Sequence, residues 1–291
     1  MRCSICGLIS TLLLSAILGC SEEDNGGKLA VFVSVPPQAH LVKRIGGDHV
    51  AVQVLVRPGQ EPHTFEPTPK QAAALAKTRL FFVVGLPFEE RVIAKVRSGD
   101  LAFEVVNATV LPNGENHAGS PKREAEEAAR GSDPHVWLSP RHIETQVRNI
   151  TRALTRTDPS HAPAFEANCA RLLDALADTD ASIRQQLAPY AGRSFYVFHA
   201  CLGHFAEAYG LHQEAIEFEG KSPGPRQLRD LVAKAKRDRA KCIFVQPQFD
   251  EKSARIIAAA IGADIVLIDP LAEDVFENLE EIASKIVKAF G

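Results

Sequence analysis

The sequence predicts an α/β protein of two similar lobes, each a mostly parallel sheet covered by helices, joined by a long rigid backbone helix. Three observations carry this. Short apolar runs alternate with helical patterns, the two halves repeat one order of features, and an uninterrupted helical pattern lies between them. Continuous apolar strands separated by helices belong in parallel sheets, because the crossover helices bury both faces.

Strand patterns in the first half are "LAVFVSV" (29–35), "VAVQVLV" (50–56), "RLFFVVG" (79–85) and "AFEVVNA" (102–108). In the second half they are "SFYVFH" (194–199), "EAIEFE" (214–219), "KCIFVQ" (241–246) and "DIVLID" (264–269). Patterns such as "PKQAAALAKT" and "DEKSARIIAAAIG" between them are helical. "VFVSVPPQAHLVKRIGG" aligns without gaps on "FYVFHACLGHFAEAYGL", after which "PTPKQ" matches "PGPRQ" and "FFV" matches "IFV". That shared order favours two lobes over one sheet.

The organisation follows as an N-terminal lobe over 29–158, an interlobe helix over 159–189 and a C-terminal lobe over 190–291. Asp158-Pro159-Ser160 supplies a helix start and Pro189 a stop, with Phe165, Leu172, Leu173, Leu176, Ile183 and Leu187 at near-helical spacing between them. A helix of about 27 residues is roughly 40 Å long at 1.5 Å per residue. A rod of that length, without glycine, argues against wide opening of the lobes. The segment 111–134 is polar, charged and free of strand pattern, and reads as a mobile loop.

Residues 1–19 read as a lipoprotein signal peptide. Arg2 gives the basic start, the apolar middle is too short for a convincing span, and "ILGC" places small Gly19 before Cys20. Cys20 becomes the lipid-bearing N-terminus, and 20–28 a flexible polar tether. The net charge of −3 offers no basic face for nucleic acid. Cys169, Cys201 and Cys242 remain, an odd number that defines no complete disulfide framework.

Ligands of open parallel sheets bind beyond the carboxyl ends of the strands. His199 stands at the end of "FYVF" and Asp269 at the end of "DIVLI". His63 follows "VAVQVLV" inside "RPGQEPHTFEPTP", whose prolines stiffen it, and His135 sits in "GSDPHVWLSP" just ahead of a helix. Taken singly, each has a plain structural explanation: a loop or core histidine, a turn aspartate. Their joint placement at one crevice, two from each lobe, points instead to a metal centre. Three imidazoles and one carboxylate suit Zn(II) at four-coordination, with Mn(II) the rival if the aspartate binds through both oxygens. Glu66 and Asp133 are candidate hydrogen-bond acceptors for the outer ring nitrogens. His40, His49, His142, His161, His204 and His212 read as structural or surface residues, and His117 as a weak collecting site in the loop.

With "EPHTFEPTPKQ", "DPHVWLSPR", "FHACLGHFAEAYGL", "SPGPRQL", "FVQPQFDEKSARIIA" and "IDPL", the chain resembles the zinc- and manganese-binding solute-binding lipoproteins of ABC importers, the cluster A-I (cluster 9) family. The resemblance implies metal held between two lobes, with the motif ligands falling on His63, His135, His199 and Asp269. It implies an ABC permease with a separate ATPase subunit as partner, since the chain has no GxxxxGK[ST] phosphate loop. It also implies attachment to a bacterial membrane by a lipid anchor only, in the periplasm or at the cell surface; a carrier that docks one permease is expected to be a monomer. The chain departs from the family where "HACLGHF" replaces a "HDAFGYF" pattern and where the 111–134 loop carries a single histidine. His199 stands where manganese members often have Glu, which favours zinc. A zinc-dependent hydrolase is the alternative from another class. It would need an open coordination position and a base such as Glu219 or Glu66, and no HExxH is present. A surface adhesin finds no repeat or stalk in the sequence.

Overall fold

The computed structural model describes residues 27–97, 103–110, 133–217, 224–249 and 251–291. The signal peptide, Cys20, most of the tether, Glu219 and all of the 111–134 loop except Asp133 and Pro134 lie outside the described residues.

The first sheet contains β1 (Leu29–Val33), β2 (Val50–Val54), β3 (Leu80–Val83) and β4 (Glu104–Asn107). The second contains β5 (Ser194–Val197), β6 (His212–Ala215), β7 (Cys242–Val245) and β8 (Asp264–Leu267). Both are four-stranded, in the orders β2-β1-β3-β4 and β6-β5-β7-β8, and every described pairing is parallel. The two lobes thus repeat one winding order. The structure departs from the sequence reading at β6. Hydrogen-bonded register starts at His212 opposite Ser194, two residues before "EAIEFE" begins. As an edge strand, β6 has a polar start without the apolar run that marks its neighbours. Its bonding pattern continues beyond the strand through Ile216 N–H to Val197 O and Glu217 N–H to Phe198 O.

The helices are α1 (Pro36–Gly46), α2 (Pro69–Leu75), α3 (Pro87–Arg97), α4 (Pro140–Thr157), α5 (Ala162–Leu187), α6 (Gly203–Ala208), α7 (Pro225–Arg237), α8 (Glu251–Ile261) and α9 (Val275–Phe290). Proline in the first turn of α1, α2, α4, α5 and α7 matches the position where a missing N–H costs nothing. The long α5 has 26 residues, with short 3-10 turns at 159–161 and 188–190 extending it at both ends. It packs on α1, α4 and α9. Phe165, Leu172, Leu176, Ile183 and Leu187 form its buried stripe.

Two apolar cores result. The larger is continuous from the first sheet through α4 and α5 to Leu279, Ile282 and Ile286 of α9, and on to Phe205 of α6 and Phe195, Val197 and Phe244 on one face of the second sheet. The smaller lies on the opposite face of the second sheet, where Tyr196, Ile243 and Val245 meet Ala235 of α7 and Ala254, Ile257 and Ala258 of α8. Polar bridges add to the contact between the lobes: Trp137 Nε1–H donates to Pro270 O at 2.7 Å, and Lys43 pairs with Glu273 at 2.6 Å. No helix among the described residues is long and apolar enough to cross a membrane.

Candidate metal centre

Three of the four ligand candidates come together. His63, His135 and His199 each offer a ring nitrogen, and these nitrogens all lie within 4.8 Å of one another. His63 Nε2 and His135 Nε2 are 3.4 Å apart. Two nitrogens bound to one tetrahedral zinc at about 2.05 Å are held about 3.3 Å apart, so this pair already has the spacing of a shared ion. The His199 Nε2 atom is buried with no hydrogen-bond partner. Nothing in the described fold satisfies this nitrogen, and a cation held between the three rings would.

His63 is held by its own loop. The Glu61 carboxylate accepts from the backbone N–H of His63 and of Thr64, each at 2.8 Å, while Phe65 packs edge-on against Phe88 at 5.0 Å. Glu66 is exposed, so Glu61 rather than Glu66 organises this ligand. His135 precedes α4, and Asp133 Oδ1 accepts both its backbone N–H (3.0 Å) and its ring Nδ1–H (2.7 Å). A carboxylate acceptor fixes the proton on Nδ1 and leaves the Nε2 lone pair for an ion. Burial pushes the Asp133 carboxyl upward, but the hydrogen bond and charge of His135, with the charge of His204, outweigh it and hold the group at about 2. Asp133 rests close over Gly203, where a Cβ would come within 2.6 Å of Oδ2. His204 adds a contact across the cleft, its Nε2 standing 2.9 Å from the Asp133 carbonyl.

His199 lies two residues past β5. Fully buried Gln246 clamps its backbone, accepting from its N–H at 3.2 Å and donating to its carbonyl at 2.9 Å. The ring stacks on Phe249 at 4.6 Å, and Glu217 Oε1 stands 3.6 Å from Nδ1. Burial, then the nearby His135 and His63, lower the His199 pKa to about 3; burial and then His135 lower that of His63. The His199 ring therefore stays neutral and ligating well into acid, and the His63 ring is shifted in the same sense.

Asp269 is not in the group of mutually close donors. It lies two residues past β8 beside the cavity, its carbonyl accepting from Asn278 Nδ2 at 2.9 Å. Its Oδ1 accepts from Gln248 Nε2 at 2.9 Å and from Leu271 N–H at 3.0 Å. The cavity is lined by the three histidines with Glu61, Trp137, Gln248 and Phe249 among others, and measures about 10 Å³, room for one water-sized sphere. Cys169, Cys201 and Cys242 are all free, and burial pushes the Cys201 thiol up to about 12.

Sequence reasoning overlooked Glu61, Glu217, Gln246, Gln248, Phe249 and the bridging His204. Four of these obey the rule that found His199 and Asp269: Gln246, Gln248 and Phe249 follow β7, and Glu217 follows β6.

Two parallel-sheet lobes closing three imidazoles around an ion-sized space define a solute-binding protein whose solute is a metal ion. Residues 31–289 match the family model "Zinc-uptake complex component A periplasmic", and the chain belongs to that family. It is 29% identical over 258 residues to the high-affinity zinc uptake system protein ZnuA of Bacillus subtilis, covering 86% of this chain and 81% of that protein. Over 303 residues it is 26% identical to the manganese ABC transporter substrate-binding lipoprotein PsaA of Streptococcus pneumoniae, covering 95% and 94% of the two chains. A crystal structure of ZnuA superposes with a TM-score of 0.81 at 35% identity, covering 91% of this chain and all of that one.

Proposed function

We propose that this chain is the extracytoplasmic metal-binding component of an ABC importer, capturing Zn(II) first and Mn(II) second and delivering it to a membrane permease served by a separate ATPase subunit. His63, His135 and His199 hold the ion as neutral imidazoles, and Asp269 supplies the fourth ligand after a short approach. Cys20 carries the lipid anchor, and the carrier works as a monomer. One observation supports this reading above the others: three ring nitrogens from two lobes lie within 4.8 Å of one another. The protein is not an enzyme in this reading. A cavity of about 10 Å³ admits an ion but not an ester or peptide beside it.

The test is competitive titration of the metal-stripped protein with zinc and manganese, repeated with His63, His135, His199 and Asp269 changed singly to Ala. Each change is expected to abolish tight binding while circular dichroism reports an intact fold. Zinc binding unaffected by loss of any two histidines would overturn the assignment.

A further inference from the structure

Beside the metal cavity, the side-chain amide of Gln248 donates to the carboxylate of Asp269. We propose that Gln248 is a positioning residue that restricts Asp269 to one ligating oxygen and thereby favours zinc over manganese. This rests on the reading above that Asp269 is the fourth ligand.

Gln248 Nε2 and the Leu271 backbone N–H both donate to Asp269 Oδ1, at 2.9 and 3.0 Å. A carboxylate oxygen has two lone-pair sites, so these donors fill Oδ1, and a cation reaching this group meets Oδ2. The orientation of the Gln248 amide is settled by its partner. A carboxylate can only accept, so the NH₂ end faces Asp269 and Oε1 faces away. That Oε1 atom is buried without a hydrogen-bond partner, on a residue that lines the metal cavity. Buried polar atoms are seldom left without a partner, and here the unused acceptor stands on the wall of a cation site.

The consequence concerns coordination number. Three imidazoles and one carboxylate oxygen make four ligands, the number zinc adopts in closed sites. Manganese favours more oxygen donors and a larger shell, which a carboxylate binding through both oxygens would supply. With its donor spent on Oδ1, Gln248 withholds that second oxygen. Leu271 alone leaves one lone pair on Oδ1 available, so the side-chain amide is the deciding donor.

The experiment uses the metal-stripped full chain, its Gln248→Leu and Gln248→Met variants, Asp269→Ala, and the double variant Q248L/D269A. Met keeps the length of Gln and serves where Leu fails to fold. Zinc–manganese competition gives the affinity ratio, and the visible spectrum of the Co(II)-loaded protein gives the coordination number, with intense bands for four ligands and weak ones for five or six. The zinc-to-manganese ratio is expected to fall about tenfold on loss of the amide, in the range for outer-sphere partners, with weakened Co(II) bands. The double variant should match D269A in both readouts. An unchanged ratio and spectrum in Q248L and Q248M, with D269A still weakening binding, would overturn the role of Gln248 alone. If D269A itself changes neither affinity nor spectrum, the fourth-ligand assignment fails and this inference fails with it.

Discussion

A histidine binds metal through a neutral ring nitrogen, so the group that holds the proton on its other nitrogen also aims the ligand. Asp133 does this for His135 through a 2.7 Å bond. Asp133→Ala is expected to weaken zinc binding by about 10- to 100-fold, read by competition with a chromophoric chelator; equal affinity would mean that the loop alone orients the ring. The lowered values of His63 and His199 have a second consequence. A histidine whose folded pKa lies below its ordinary 6.5 takes up a proton more readily in the unfolded chain, so stability rises with pH. That contribution is complete above 6.5 and is lost as pH falls from there toward about 3, the folded value for His199. Asp133, held at about 2 against an ordinary 3.8, adds loss of the same sign at lower pH. The urea midpoint of the metal-free protein should therefore drop between pH 7 and pH 4.5, and drop less in His199→Gln. Equal slopes in the two proteins would rule out His199 as a source.

Between residues and the whole lies the question of which elements announce themselves. Buried strands such as "LFFV" of β3 are legible because all four side chains are covered, leaving no polar interruption. The edge strand β6, "HQEA", starts with polar residues, so its apolar signal begins two residues after the strand does. The long α5 is legible from its spaced apolar stripe. Its partner surface is not, because periodicity gives a face and not what covers it. The same limit applies to the site: His63, His135 and His199 could be found from chain position and chemistry, whereas Glu61 and Gln246 each act through a pair of hydrogen bonds to backbone groups, which leave no pattern. The α5 seam can be tested as an element. Leu172 is 1% exposed within the larger core, so Leu172→Ala is expected to cost about 2–5 kcal/mol in urea unfolding. Zinc affinity under native conditions should stay unchanged, since α5 contributes no ligand. A loss of affinity in step with stability would mean that the helix transmits to the site.

At the scale of the molecule, the division into two cores decides which parts can answer to metal. The larger core ties the first sheet, α4, α5 and α9, together with α6 and one face of the second sheet through Phe195, Val197, Phe205 and Phe244, into one packed body. The smaller core holds only α7 and α8 to the opposite face of that sheet, through Tyr196, Ile243 and Val245. The metal-facing groups on that side, His199 and Phe249, are joined to each other by ring stacking and adjoin the smaller core through Phe198. Local opening free energies follow such cooperative units. Zinc binding should therefore slow hydrogen exchange at 198–200, 216–217 and 246–249, with smaller effects at 61–65 and 133–138. Amides in the middle of α5 should exchange at the same rate with and without metal. Metal-dependent protection spread evenly over α5 and α9 would instead require the lobes to open as rigid halves about the long helix, which the shared core opposes.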